Sequence, residues 1–243
     1  MVTNRKHYKL LAEIFKYPGD DFMQNLKVCA DLLDANYPEA GKELKIFSEY
    51  IGKVTEDARQ ELFTKTFDVQ PICYLDLGYV MFGEDYKRGA FLLNMQTEQL
   101  KVSNDCGTDL SDNLCNVLTL MDKSTDDTFV EDLVWRIIIP CVKKMIAEFN
   151  SARVDLKLNV LKKMHRAIIQ EELNHGNVYK NCFNVLLDVL VKDFGEKEFL
   201  SEDDSALTSS DHKSFFNKQT ALNTFNYKQH SEAQELAALH KLD

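Results

Sequence analysis

"GYVMFGEDYKRG", residues 78–89, packs three glycines, two tyrosines, a phenylalanine and a Lys-Arg pair into one short stretch. Its neighbours decide the fold class. After a strand, closely spaced glycines cradle phosphates; between helices they turn a corner. Upstream, "TEDARQELFTKTF" (55–67) offers Thr55 as an N-cap and sets Ala58, Leu62, Phe63 and Phe67 on one helical face. Downstream, "EDYKRGAFLLNMQTEQL" (84–100) places Tyr86, Ala90, Leu93, Thr97 and Leu100 at helical spacing. Neither flank alternates apolar and polar residues as a half-buried strand does. The stretch therefore reads as a corner. An aromatic-rich helix ends at Gly83 as a left-handed C-cap, and Glu84 and Asp85 occupy the first turn of the next helix. Gly89 inside that helix costs about 1 kcal/mol against Ala, which predicts a close backbone approach there.

The same period runs through the rest of the chain. Thr3 is a candidate N-cap for a helix carrying Tyr8, Leu11, Ile14 and Phe15 inward and stopped by Pro18-Gly19. A second helix spans about 21–35 and a third begins at Pro38. Between 127 and 150 the apolar row is Val130, Leu133, Ile137, Cys141 and Met145, with a kink expected at Pro140. Val154, Leu158, Leu161, Met164 and Ile168 mark another helix, and Val178, Cys182, Val185 and Val189 the last strong one. Only packing such stripes against one another buries them all, so the fold class is all-α, a single-domain helical bundle over residues 1–194. From 195 to 243 the chain turns Ser/Asp/Asn/Lys-rich, with isolated Phe215, Phe216 and Phe225. It reads as a flexible polar tail with one short helix near 232–240.

The 243 residues carry a net charge of −10 with a pI of about 5.1. That excludes a general nucleic-acid binder, which needs Lys and Arg to displace counterions, and suits a basic peptide as partner. No apolar run reaches the ~20 residues of a membrane span, and the first 21 residues are too polar for a secretory leader. The expectation is a cytoplasmic protein, a monomer with a dimer as the alternative, without membrane insertion. Six scattered cysteines with no CxxC pair predict reduced, mostly buried thiols.

Catalytic signatures are absent from the sequence: no phosphate loop, no nucleophile elbow and no HExxH. A lone Glu-x-x-His, Glu172 to His175, falls short of the two that a di-metal carboxylate bundle uses. No enzyme, cofactor or metal is expected. One further stretch stands out, "GTDLSDNLCNVLTLM" (107–121). Read as a helix starting at Asp109, it turns Leu110, Leu114, Val117, Leu118 and Met121 inward and aligns Asp109, Asp112, Asn113 and Asn116 as a polar stripe. Acids and amides beside a helix start offer a place for a cation or for Arg guanidinium groups.

Two of these stretches carry a resemblance. "ELFTKTFDVQPICYLDLGYVMFGEDYKRGAFL" (61–92), with Phe67-Asp68, the Gly83 turn and Arg88-Gly89, resembles the NarJ/TorD family of redox-enzyme maturation chaperones, in its nitrate-reductase-type branch. "DLSDNL" (109–114) is similar to that family's Glu-Leu-Pro-Asp-His/Tyr-Leu motif, with Ser111 in place of the proline and Asn113 in place of the His or Tyr. The similarity spans roughly residues 5 to 190. It implies a fold of helices only, with no bound cofactor required. It also implies a chaperone for the molybdenum-containing catalytic subunit of a respiratory oxidoreductase. Such a chaperone binds that subunit's N-terminal segment, a twin-arginine signal or its relic, and holds the subunit until molybdenum cofactor is inserted and export can proceed. The expected peptide groove lies between the 70–90 region and the helix starting at Asp109. Asp109, Asp112, Asn113 and Asn116 would take the basic end, and Tyr74, Tyr79 and Phe82 the apolar face, with Arg88 at the corner. The other classes are a helical adaptor or scaffold, and a helical metal- or nucleotide-dependent enzyme.

Overall fold

Amphipathic stripes that recur every three to four residues leave one solution, helices packed face to face, and that is the observed architecture. A computed structural model describes residues 5–150 and 169–195; side chains of 150 and 169–177 are not described. Thr3, the Val154–Ile168 row and the 196–243 tail lie outside the described residues. The helices are α1 His7–Ile14, α2 Phe22–Asn36, α3 Pro38–Ile51, α4 Glu56–Phe67, α5 Leu77–Phe82, α6 Lys87–Lys101, α7 Leu114–Lys123, α8 Asp127–Leu133, α9 Ile139–Asn150 and α10 Ile169–Phe194. The expected caps are in place at two starts: Thr55 Oγ1 accepts from Ala58 N, and Pro38 opens α3. α10 packs on α3 and α9, α1 on α7 and α2, and α5 on α6 and α9. Among the described residues no helix is long and apolar enough to cross a membrane.

Just before Pro140, where a kink is expected, the helix ladder widens. Between α8 and α9, residues Val134–Ile138 form a π-turn in which Ile139 N bonds back five residues to Val134 O. Proline lacks the N–H that would continue the ladder and crowds the carbonyl four residues earlier; the wider π-turn makes room for both.

The core is aromatic at its centre. Tyr179 of α10 sits 4.8 Å from Phe67, 5.1 Å from Phe47 and 6.2 Å from Phe63 between ring centroids. Its hydroxyl is buried with no hydrogen-bond partner. An orphaned buried hydroxyl carries its full desolvation penalty, so Tyr179→Phe is expected to stabilise the fold by about 1 kcal/mol. A melting temperature unchanged or lowered in that variant would show the hydroxyl to be satisfied. All six cysteines are free; five are buried, and burial pushes the Cys29 and Cys141 thiols up to about 12.

The two chain ends of the bundle meet in a polar cluster that the sequence did not advertise. The Asp193 carboxylate, near the end of α10, pairs with His7 Nε2 at 2.7 Å and accepts from Tyr8 Oη at 2.8 Å and Tyr37 Oη at 2.7 Å. These hydrogen bonds hold Asp193 below the usual carboxylate range although burial opposes it. α10 then ends at Phe194, and Gly195 follows at φ +78°.

One stripe faces the other way from its reading. On α6 the buried residues are Phe91, Asn94, Met95 and Gln99. Tyr86, Leu93 and Leu100 are 85 %, 43 % and 71 % exposed. The reason lies in partners: Gln99 Nε2 donates to Ser111 O, and Asn104 Nδ2 to Gln99 Oε1, so a polar face docks on the 104–112 loop. A buried amide that is fully bonded is as good a packing face as leucine.

Candidate functional site

The corner at 78–89 has the anticipated outline. α5 ends at Phe82, and Gly83 stops it at positive φ, though not as the left-handed helical cap expected: φ +62°, ψ −132° is a region that glycine enters without a Cβ clash. Asp85 lies before α6 rather than within it, and its Oδ1 accepts from Lys87 N at 2.8 Å. The glycine under pressure is not Gly89, which has no neighbour within 4 Å of its missing Cβ, but Gly78. A methyl at Gly78 would come within 2.7 Å of Asp112 Oδ2 and 2.8 Å of Phe91 Cδ1.

That close approach joins the two stretches singled out in the sequence. Leu77 N donates to Asp112 O, Leu114 N to Leu75 O, and Gly78 N to Asp112 Oδ2 at 2.8 Å. Asp76 and Asn113 thus form an isolated antiparallel bridge. The helix of the second stretch therefore begins at Leu114, not Asp109, with Asn113 Oδ1 as its cap on Cys115 N. Residues 107–113 are committed to the bridge and its approach loop, so the continuous polar stripe does not exist. Leu110, expected inside, is 43 % exposed.

The candidate residues separate accordingly. Asp112 is completely buried, so it does not present a carboxylate to solvent as expected. It braces the bridge, and burial raises its pKa to about 6 against the opposing Gly78 hydrogen bond. Asn116 is also structural: Nδ2 donates to Leu110 O at 3.0 Å and holds the 106–110 loop. Phe82 packs edge-on against Phe91, 5.7 Å between centroids, and lines the core more than the surface.

Asp76, Arg88, Tyr74 and Tyr79 do come together, and Asp109 lies within electrostatic reach of Asp76. Tyr74, exposed, lies 4.2 Å from the Tyr79 ring, and the Arg88 guanidinium sits 5.3 Å over Tyr79. Arg88 Nη2 stands 3.7 Å from Asp76 Oδ2. Burial raises the Asp76 pKa, Arg88 and an Asn113 side-chain hydrogen bond pull it back, and the negative charge of Asp109 adds to the rise. Asp109 likewise adds to the burial that raises Asp68, an acid the sequence reading had not assigned to the site. Val69, Tyr74 and Leu110 expose apolar surface on the segments that carry these acids.

A cleft of about 540 Å³ opens beside the tyrosine pair. Ile72, Val80 and Met145 give it an apolar lining, with Lys144 and Glu148 of α9 as charged members. The sequence marks Met145 as an inward apolar position and Glu148 only as helix, because a helix's period says nothing about which loop it will face. Among the described residues no group of three or more His, Cys, Asp or Glu side chains is arranged to hold a metal ion. The side chains of Glu172 and His175 lie outside the described residues. No protein-family model matches the chain. No curated protein matches it.

Proposed function

We propose that the protein is a cytoplasmic maturation chaperone that binds the N-terminal segment of a molybdenum-containing catalytic subunit, working as a monomer. In this role it holds the subunit during cofactor insertion and assembly, before export. The observation that carries the reading is an aromatic pair, Tyr74 and Tyr79, that lines a cleft of mixed polarity beside Asp76, with Asp109 within electrostatic reach of Asp76 and of Asp68. An amphipathic peptide with basic residues at one end needs both halves: the cleft for its apolar side chains, the acids for its arginines. The resemblance of 61–92 and 109–114 to the NarJ/TorD family supports the class of client, a molybdenum-containing catalytic subunit, and the helical bundle suits it.

Calorimetry with the N-terminal peptide of a molybdoenzyme catalytic subunit from the same genome tests the reading. Binding is expected at low salt. It should weaken as salt rises from about 0.1 M to about 1 M, because the screening length shrinks from ~10 Å to ~3 Å. No binding at low salt by a folded protein would exclude the peptide mode.

A further inference from the structure

We propose that Arg88 is a resident occupant of a guanidinium site beside this cleft, and that an arginine of the bound segment displaces it. The inference deepens the peptide-binding reading and rests on it for the identity of the incoming group.

Arg88 is poorly held for an arginine among carboxylates. A structural arginine–carboxylate pair is commonly bidentate, at about 2.7–2.9 Å. Here the approach to Asp76 is 3.7 Å, too long for a hydrogen bond, and Nε is buried without a partner. The other firm contact of the guanidinium is the face of Tyr79. On the acceptor side the vacancy is matched. Asp112 is 0 % exposed; its Oδ2 takes the Gly78 N–H, while Oδ1 has no partner. Asp112 lies within electrostatic reach of both Asp76 and Arg88. An unsatisfied buried carboxylate oxygen and an unsatisfied buried guanidinium N–H therefore stand in the same small region, and the resident side chain does not join them.

The reason is in the backbone. Gly78 lets Asp112 reach the α5 start, and the Arg88 stem passes over that glycine, with Cγ 3.4 Å from where a Cβ would be. Anchored at the first turn of α6, Arg88 lays its head on Tyr79. An arginine arriving from solvent carries no such tether. It can stack on the Tyr74–Tyr79 pair and present its fork edge-on to Asp76, with Asp109 and Asp68 adding field. The site is charged for it: Asp76 lies beside Arg88, Asp109 adds negative field at Asp76, and Asp68 lies within electrostatic reach of Asp109. The planar ring and the flanking acids suit a guanidinium better than an ammonium, which cannot stack and bond in one plane.

The test uses the full chain and two small probes, acetyl-Arg-Arg-amide and its citrulline counterpart, which keeps the shape and removes the charge. The side-chain Nε–H resonance of Arg88, assigned by its disappearance in Arg88→Gln, reports displacement directly. The diarginine probe is expected to shift that resonance, and the citrulline probe to leave it in place. Arg88→Gln, which removes the competitor, should bind diarginine at least threefold more tightly. Asp76→Asn should bind it at least fivefold more weakly. If Arg88→Gln does not fold, Arg88→Lys replaces it with the same expected direction, since a lysine competes less well for the stacked position. Equal or weaker diarginine binding by the folded Arg88 variant overturns the proposal, as does equal binding of the citrulline probe. Client-peptide binding that persists with either result leaves the chaperone reading intact. Diarginine displacement without client binding removes that reading and keeps the site.

Discussion

Replacing Asp193 by Ala is expected to cost about 3–5 kcal/mol of stability, the range for removing one partner of a buried charged cluster. The reason is what remains: His7 and Tyr8 are buried, and with Tyr37 they lose the single carboxylate to which all three are bonded. The loss also separates α1 and the α2–α3 junction from the end of α10. Denaturant unfolding measures it, and a loss below about 1 kcal/mol would mean the cluster is dispensable. The pH dependence has a definite sign. The folded pKa of Asp193 lies below its ordinary value of 3.8, so its contribution is present above that value and lost as pH falls through the folded pKa. Asp112 runs opposite: with a folded pKa of about 6, the native state is favoured at low pH and loses that advantage as pH rises from 3.8 through 6. The two groups thus act in opposite windows: Asp112 lowers stability as pH rises from 3.8 through about 6, and Asp193 lowers it as pH falls through its folded pKa. Asp193→Ala should lack the acid-side loss attributable to this residue.

A second large effect is expected at the corner. Gly78→Ala should destabilise by about 3 kcal/mol, combining overpacking with a weakened buried hydrogen bond to a carboxylate. The two groups the methyl would strike, Asp112 Oδ2 and the Phe91 ring, are both buried and cannot swing into solvent. Gly89→Ala, eleven residues on, is the control. Its missing Cβ faces open space in a helix, so the change should stabilise by up to about 1 kcal/mol. Thermal melts of the two variants decide the matter. Equal effects would mean that the bridge between Gly78 and Asp112 does not constrain the corner.

The bundle itself was legible from one dimension. Periodicity placed α1 to α4 and the last helix, Thr55 and Pro38 marked starts, Gly83 marked the α5 stop, and Pro140 marked the break that became a π-turn. These are local properties: a cap, a missing N–H or a positive φ depends on a few neighbours along the chain. The two stretches of the candidate site were also visible, as aromatic and acidic surplus. Their arrangement was not. Whether Asp112 faces solvent or the core depends on an antiparallel bridge to a segment thirty-odd residues away, closed by the Gly78 N–H. The helix period cannot register that bond, so it extended α7 back to Asp109 and turned Leu110 inward. The same blindness put Tyr86, Leu93 and Leu100 on the packed side of α6, where Asn94 and Gln99 in fact lie, Gln99 with partners supplied by the 104–112 loop. The Asp193 cluster joins residues 186 and 156 positions apart, and nothing in either local pattern announces it. Hydrophobic spacing alone determined that this chain is helical and roughly where each helix runs. Which polar groups are buried, and so which carboxylates remain to meet a ligand, was decided only in three dimensions, because a hydrogen bond is satisfied by whatever the fold brings beside it.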